Sequence, residues 1–210
     1  FEMLLITKTH KSYLSLHPQD LVAGGVIRIV NSCEVERGHI RQINLPKKFL
    51  PRLQVLDYTR AFLLGRMAWS HLDGLMLISG AMGMFDRETV IKAGGYNIKT
   101  VGEDMELVLR MRRYMAEHKE SYEVTYIPDP LCWTEVPSDL KSMRKQRTRW
   151  TRGLIESLWS HRKMMLNSHY GRLGLLGYPY WLIFEWAAPL IAFLGFVYTI
   201  FLAITGALNL

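Results

Sequence analysis

The sequence predicts an α/β domain that runs into a membrane segment. Three observations predict it. Strand-like and helix-like apolar patterns alternate along residues 20–165. Hydrophobic residues make up 49% of the 210, enough for a packed core and too many for a disordered chain. From Leu173 to Leu210, Glu185 is the only charged residue.

Each element has its own warrant. Residues 1–19 lack a period, begin on Phe1 and show no signal peptide, so they read as a leader or a cut edge. Asp20 to Val30 is a strand, with β-branched Val26, Ile27, Ile29 and Val30 around Arg28. Gly24-Gly25 marks a turn or a close backbone approach, and Asn31-Ser32 a loop. Pro51 opens a helix to about Trp69, with Leu53, Leu56, Ala61, Leu64 and Met67, and Tyr58, Phe62 and Leu63 beside them, at helical spacing. Leu75 to Ile78 reads as a short strand ended by Ser79-Gly80, and Ala81 to Phe85 continues extended. Asp86 caps a helix over Arg87 to Lys92, which Gly94-Gly95 ends. Glu103 to about Glu117 is a helix with Met105, Leu107, Val108, Leu109 and Met111 on its apolar side. Tyr122 to Ile127 and Leu131 to Val136 read as two strands, separated by Pro128 and Pro130. Ser138 caps a long helix with Asp139 in its first turn, running to about Met165.

The end of the chain changes character. Trp186 to Gly206 is uncharged and, at about 1.5 Å per residue, reaches roughly 31 Å, the thickness of a hydrocarbon core. Leu173 to Glu185 is apolar, shorter, broken by Pro179 and rich in aromatics, which suits an interfacial helix, with two closely packed spans as the alternative. Arg162, Lys163 and Arg172 precede the span and nothing basic follows it. The positive-inside rule then puts the soluble domain on the cytoplasmic side of the plasma (inner) membrane.

Composition narrows the chemistry. The formal net charge of +7 fits nucleic acid, anionic lipid headgroups or a phosphorylated substrate. Cys33 and Cys132 stand far apart and read as plain thiols in a reducing compartment. The histidines are scattered without an H-E-x-x-H pair, and there is no C-x-x-C, so a structural zinc site is not supported.

Three groupings carry chemistry. Glu103 and Asp104 open a helix; acids there are favoured by the helix dipole, yet a carboxylate on a rigid element also suits a general base. Gln146-Arg147-Thr148-Arg149-Trp150 lies in the most basic stretch of the chain, which by itself reads as a solvated or lipid-facing helix. Gln146, Arg149 and Trp150 stand at i, i+3 and i+4, so an amide, a guanidinium and an indole share one face and suit a sugar phosphate. Ser79-Gly80-Ala81-Met82-Gly83 is either a strand corner or a strip of small residues that lets substrate approach the backbone, and is no dinucleotide fingerprint.

In order, Gly24-Gly25 and Asn31, Ser79-Gly80-Ala81 and Phe85, Gly94-Gly95-Tyr96, Glu103-Asp104, then Q-x-x-R-W at 146–150 and a membrane segment resemble the C-terminal part of processive family-2 glycosyltransferases. Synthases of cellulose, chitin, hyaluronan and poly-N-acetylglucosamine belong there. The resemblance implies a partial GT-A domain over residues 20–165 and a membrane region over 173–210. It implies a nucleotide-sugar donor such as a UDP-sugar, a glycan acceptor, a lipid environment and a divalent metal, Mg2+ or Mn2+. Asp104 matches the general base for the acceptor hydroxyl and Glu103 its partner acid. Gln146, Arg149 and Trp150 match the residues that hold the end of the growing chain, with Ser79 and Gly80 beside the substrate. The family's metal-binding D-x-D is expected before Asp20, where this sequence has no aspartate. The donor half is therefore expected to be absent, and the chain alone inactive. Three rivals stand beside this reading: a non-processive transferase acting on a lipid or small acceptor, an inactive membrane remnant, and a nucleic-acid binder. The last is disfavoured by the membrane-facing place of the basic helix and the lack of interleaved exposed aromatics.

Overall fold

A computed structural model describes residues 5–6 and 20–207, so the expected leader over 1–19 lies almost wholly outside the described residues. Strands β1 (Leu5–Ile6), β2 (Asp20–Ile29), β3 (Glu34–Glu36) and β4 (His39–Gln42) come first. Helix α1 (Phe49–Tyr58) continues through a π-helical stretch, Thr59–Gly65, into α2 (Arg66–His71). Then follow β5 (Gly83–Asp86), α3 (Arg87–Lys92), α4 (Glu103–Glu117), β6 (Glu123–Thr134) and α5 (Leu140–Ser160). One sheet has the order β1-β5-β2-β6, and β3 and β4 form a separate antiparallel pair.

Strand β2 is central, antiparallel to β5 and parallel to β6. Leu21 to Ile27 and Ile29 are buried and only Arg28 is exposed, which is why it reads as an apolar run and not as alternation. Gly24 is a close approach and not a turn: a Cβ there would lie 2.6 Å from Ile78 Cδ1. The prolines do not divide β6 as expected. The register steps from Gly25 opposite Ile127 to Val26 opposite Pro130, so Pro128 and Asp129 bulge out and the strand continues. The strand expected at Leu75 to Ile78 forms no ladder, although Leu75, Met76 and Ile78 are fully buried. A side chain takes the place of a neighbouring strand there, since Arg112 donates to the carbonyls of Leu75 (2.6 Å) and Asp73 (2.9 Å). Extended backbone begins only at Gly83, after a turn in which Met82 N donates to Ser79 O (3.0 Å).

The helix over 49–71 is present, with Tyr58 and Phe62 in the core and Ala61, Leu63 and Met67 packed against it, but its face is turned from the expected one. Pro51, Gln54, Tyr58, Phe62 and Arg66 are buried, while Leu53, Leu56 and Leu64 are exposed. A π stretch in the middle shifts the register, so a single 3.6-residue period does not describe the whole helix. Asp86 caps α3 as expected, accepting from Thr89 N (3.0 Å) and Thr89 Oγ1 (2.7 Å), and Gly94 and Gly95 end it at positive φ. Asp139, not Ser138, caps α5 by accepting from Ser142 N (2.8 Å). That helix stops at Ser160, before a 3-10 turn over Arg162–Met164.

From Leu173 the chain is helical through a π stretch (Leu173–Gly177), α6 (Tyr178–Tyr180) and a second π stretch (Trp181–Trp186), then bends by 52° into α7 (Ala188–Ile204). Pro179 does not break this helix; the wide π turns on either side tolerate its missing N–H. Leu173, Gly174, Gly177, Tyr178 and Trp181 are buried, and Leu173, Tyr178 and Trp181 pack with Met76, Met105, Leu109, Leu158 and Met164. The segment is thus one wall of a second core as well as an apolar surface. Gly177 makes the contact close: a Cβ there would lie 2.6 Å from Gly74 O. The unbroken span expected over Trp186 to Gly206 is interrupted, and α7 covers 17 residues, none buried. Among the described residues no single helix is long and apolar enough to cross a membrane; the bent pair 173–186 and 188–204 is, by length and composition.

Candidate active site

The first turn of α4 carries the two acids, and α5 holds that turn in place. Gly102 and Gly153 cross at backbone contact: a Cβ on Gly153 would lie 2.7 Å from Gly102 Cα, and one on Gly102 would lie 2.7 Å from Gly153 O. Ser157 Oγ donates to Gly102 O (3.3 Å). Glu156 accepts from Thr100 Oγ1 (2.9 Å) and Val101 N (3.1 Å). The loop before α4 is therefore pinned to the helix that carries residues 146–150.

Asp104 is aimed by backbone donors. Its Oδ2 accepts from Gly80 N (3.1 Å) and its Oδ1 from Met105 N (2.8 Å). Those two bonds leave acceptor capacity on both oxygens for a substrate proton. Asp104 and Ser79 open onto a cavity of about 300 Å³. Trp150, Thr151 and Leu154 of α5 form one side, Tyr58, Phe62, Arg66 and Trp69 another, and Tyr180, Trp181 and Glu185 close it from the apolar segment. Aromatic faces are grouped around it. Tyr58 and Trp150 lie 6.5 Å apart by ring centroid and Trp69 and Tyr180 4.6 Å. Apolar ring faces with a few convergent charges suit a sugar.

Electrostatics follow from burial. Burial pushes the Tyr58 and Tyr126 hydroxyls above their usual range. The Tyr96 hydroxyl is pushed up to about 12, first by burial and then by the negative charge of Asp104 and Glu103. Arg66 is held below its usual range by burial, partly offset by Tyr126 and Asp104. Arg147 lies over the Trp150 ring, 4.9 Å from its centroid, and donates to Asp57.

Of the residues the sequence singled out, Ser79, Asp104 and Trp150 line one cavity and Gly80 orients Asp104. Glu103 is exposed and outside the cavity lining, as is Arg149. Gln146 is half-buried, also outside the lining, and its Oε1 has no partner among the described residues. Arg147, read from the sequence only as part of a basic run, occupies the cavity wall instead. Sequence reasoning also missed Arg66, Tyr58, Trp69 and Tyr180 as site residues. Glu185 had a signal, being the one charge in a long apolar run. Arg66 had a weaker one, a lone cation between Leu63-Leu64-Gly65 and Met67-Ala68-Trp69.

Among the described residues no three His, Cys, Asp or Glu side chains stand together as metal ligands. The divalent metal implied by the resemblance finds no ligand set among these described residues.

Comparison with known proteins places the chain in a family. The family model described as glycosyl transferase family group 2 matches residues 38–210. Poly-beta-1,6-N-acetyl-D-glucosamine synthase of Staphylococcus epidermidis is 26% identical over 123 residues, covering 57% of this chain and 28% of that protein. The synthase of the same name from Staphylococcus aureus strain COL is 25% identical over 117 residues, covering 56% of this chain and 27% of that protein. The matched stretch thus spans little more than a quarter of the length of these curated relatives.

Proposed function

Because the chain belongs to glycosyl transferase family group 2, we propose that it supplies the acceptor side of an inverting, membrane-associated polysaccharide synthase with a GT-A domain. The observation that carries this is the convergence of Asp104, fixed by Gly80 N–H and Met105 N–H, with Trp150 on one aromatic-walled cavity. The acceptor sugar stacks in the cavity. Asp104 takes the proton of its attacking hydroxyl as that oxygen bonds to the anomeric carbon of the donor. The bond from that carbon to the nucleoside diphosphate breaks in the same displacement, and the anomeric centre inverts. A nucleotide sugar, a UDP-sugar first, is the donor. The names of the relatives make a β-1,6-linked N-acetylglucosamine chain the first acceptor to try.

The remaining assignments follow the same reading. Residues 20–165 belong to the glycosyltransferase domain and 173–210 to the membrane region. Trp150 carries the acceptor ring, Gln146 its hydroxyls and Arg149 the leaving diphosphate, with Glu103 as the companion acid of Asp104. The exposed position of Arg149 supports a role toward a donor that approaches from outside the cavity. The apolar surface of α7, none of whose residues is buried, supports insertion in lipid, and Arg162, Lys163 and Arg172 on its N-terminal side support a cytoplasmic catalytic face.

Asp104→Asn tests the proposal in the chain joined to a donor-binding half. The amide keeps the shape and cannot accept the proton. Transfer from a radiolabelled UDP-sugar should fall by about a hundredfold or more, with donor affinity within a few fold. Near-normal turnover by this variant would remove Asp104 from the chemistry.

A further inference from the structure

Among the described residues two arginines are buried, and their surroundings differ. Arg112 is fully buried and donates to Leu75 O, Asp73 O and the Asp73 carboxylate. That is how a structural guanidinium is kept: its fork of N–H donors meets oxygens of the fold itself. Arg66 is 8% exposed, and its guanidinium carbon sits 3.8 Å from the centroid of the Phe62 ring. The Tyr126 hydroxyl lies beside it, but Nη1 has no hydrogen-bond partner among the described residues. A desolvated cation with an unused donor is costly to keep, and this one stands in the wall of a cavity.

The charges around the cavity say what kind of oxygen would satisfy it. Arg60 and Arg147 both pair with Asp57. That leaves Arg66 facing the space that Asp104 and Glu185 also line. Arg60, Arg66 and Arg147 stand against Asp57, Asp104 and Glu185, so a phosphate entering there meets no net positive charge. A neutral sugar meets a complementary set, because its hydroxyls donate to carboxylates while its hydroxyl or acyl oxygens accept from a guanidinium. The Phe62 face holds the guanidinium plane in position without using its N–H groups.

We propose that Arg66 is a substrate-binding residue whose Nη1 donates to a hydroxyl or acyl oxygen of the neutral sugar seated in the cavity. This rests on the reading of the cavity as the acceptor site. The test therefore measures sugar binding to the 210-residue chain in detergent, without transfer. Trp69, Trp150 and Trp181 line the cavity, so their fluorescence reports occupancy. The probe is a β-1,6-linked N-acetylglucosamine trisaccharide, with inorganic pyrophosphate as competitor. In the wild type the trisaccharide should shift the fluorescence saturably, and pyrophosphate should not displace it.

Arg66→Met keeps the apolar stem over Phe62 and removes the donors; Arg66→Lys keeps the cation and removes the planar fork. Each should weaken trisaccharide binding about tenfold or more, with the melting temperature within roughly 3 °C of wild type. Wild-type affinity in both folded variants would overturn the assignment of Arg66 and leave the acceptor reading standing. Displacement by pyrophosphate would overturn the neutral-ligand claim. Failure of both variants to fold would make Arg66 structural, like Arg112, and overturn it as well. A wild type that does not bind the trisaccharide would take down the acceptor reading and Arg66 with it.

Discussion

Replacing Gly153 with alanine sets two magnitudes against each other. In the middle of a helix, glycine to alanine ordinarily gains about 1 kcal/mol. At this position the added Cβ would lie 2.7 Å from Gly102 Cα and 2.9 Å from Gly102 N. Comfortable carbon contacts are about 3.5–4.0 Å, so α4 and α5 must part by about 1 Å. The colliding atoms are backbone on both sides and cannot rotate away. The top of the usual overpacking range, about 3 kcal/mol, therefore applies, and the net loss is about 2 kcal/mol. For a chain of this size that lowers the melting temperature by roughly 4–8 °C.

The functional effect of Gly153→Ala should exceed the effect on stability. The separation moves Asp104 on α4 relative to Trp150 on α5 and strains the bond from Ser157 Oγ to Gly102 O. A displacement of about 1 Å in a reacting constellation costs about a hundredfold in rate. Thermal unfolding in detergent and transfer by the chain joined to a donor-binding half measure the two effects. A variant as stable as wild type, or more so, with unchanged transfer would show that the helices are not held at glycine contact. The placement of Asp104 against Trp150 would then lose its support.

Two further outcomes are expected. Glu106 is buried; burial alone would raise its pKa, but the hydrogen bond to His161 and the charge of Arg110 outweigh it and hold the carboxyl below its usual range. A lowered folded pKa gives stability that is present above the unfolded value of about 4.3 and lost as pH falls through the folded one, so Glu106→Gln should cost about 3 kcal/mol at pH 7 and nearly as much at pH 5. Urea unfolding at several pH values measures the difference, and a difference that vanishes by pH 6 would contradict the sign. Truncation after Trp186 should leave a folded chain that needs less detergent, whereas truncation after Arg172 should aggregate, because it strips Leu173, Tyr178 and Trp181 from Leu158, Met164 and Met76. Light scattering of the two truncations compares them, and a well-behaved shorter one would refute the docking of the 173–186 segment.

The elements legible in the sequence were those set by local chemistry. The bounds of α3 follow from the Asp86 cap and the Gly94-Gly95 stop, and those of α4 from Glu103 and its apolar side. The misread elements are those where a distant partner decides. Pro128 and Pro130 argue for a break, but β2 continues past both and the strand bulges to keep pairing. Leu75 to Ile78 has the composition of a strand, yet Arg112 on α4 takes up the Leu75 carbonyl. The helix over 49–71 shows the limit of periodicity: Leu53, Leu56 and Leu64 line up at helical spacing on the exposed side, and the buried side is built from Gln54, Tyr58 and Arg66. Gln54 is allowed there because its Nε2 donates to Pro137 O (2.9 Å), a partner 83 residues away.

The same division runs through the candidate site. Asp104 and Trp150 could be read as local motifs, an acid at a helix start and an indole in a basic run. What the sequence could not supply is the crossing of Gly102 with Gly153, which turns two motifs about forty residues apart into one wall of a cavity. Nor could it show that the apolar segment folds back. Glu185 stands out in the sequence only as the one charge of a long apolar run; in the fold, the helix that carries it packs through Trp181 on Met76, Met105, Leu109 and Leu158 and brings the carboxylate to the space that Asp104 lines. A charge in an apolar run is costly in lipid, and here it has a polar cavity to face. The segment proposed to enter the bilayer is therefore also a wall of the proposed acceptor site, so a sugar held there would already lie beside the apolar helices, in position for a growing chain to pass toward the proposed membrane side.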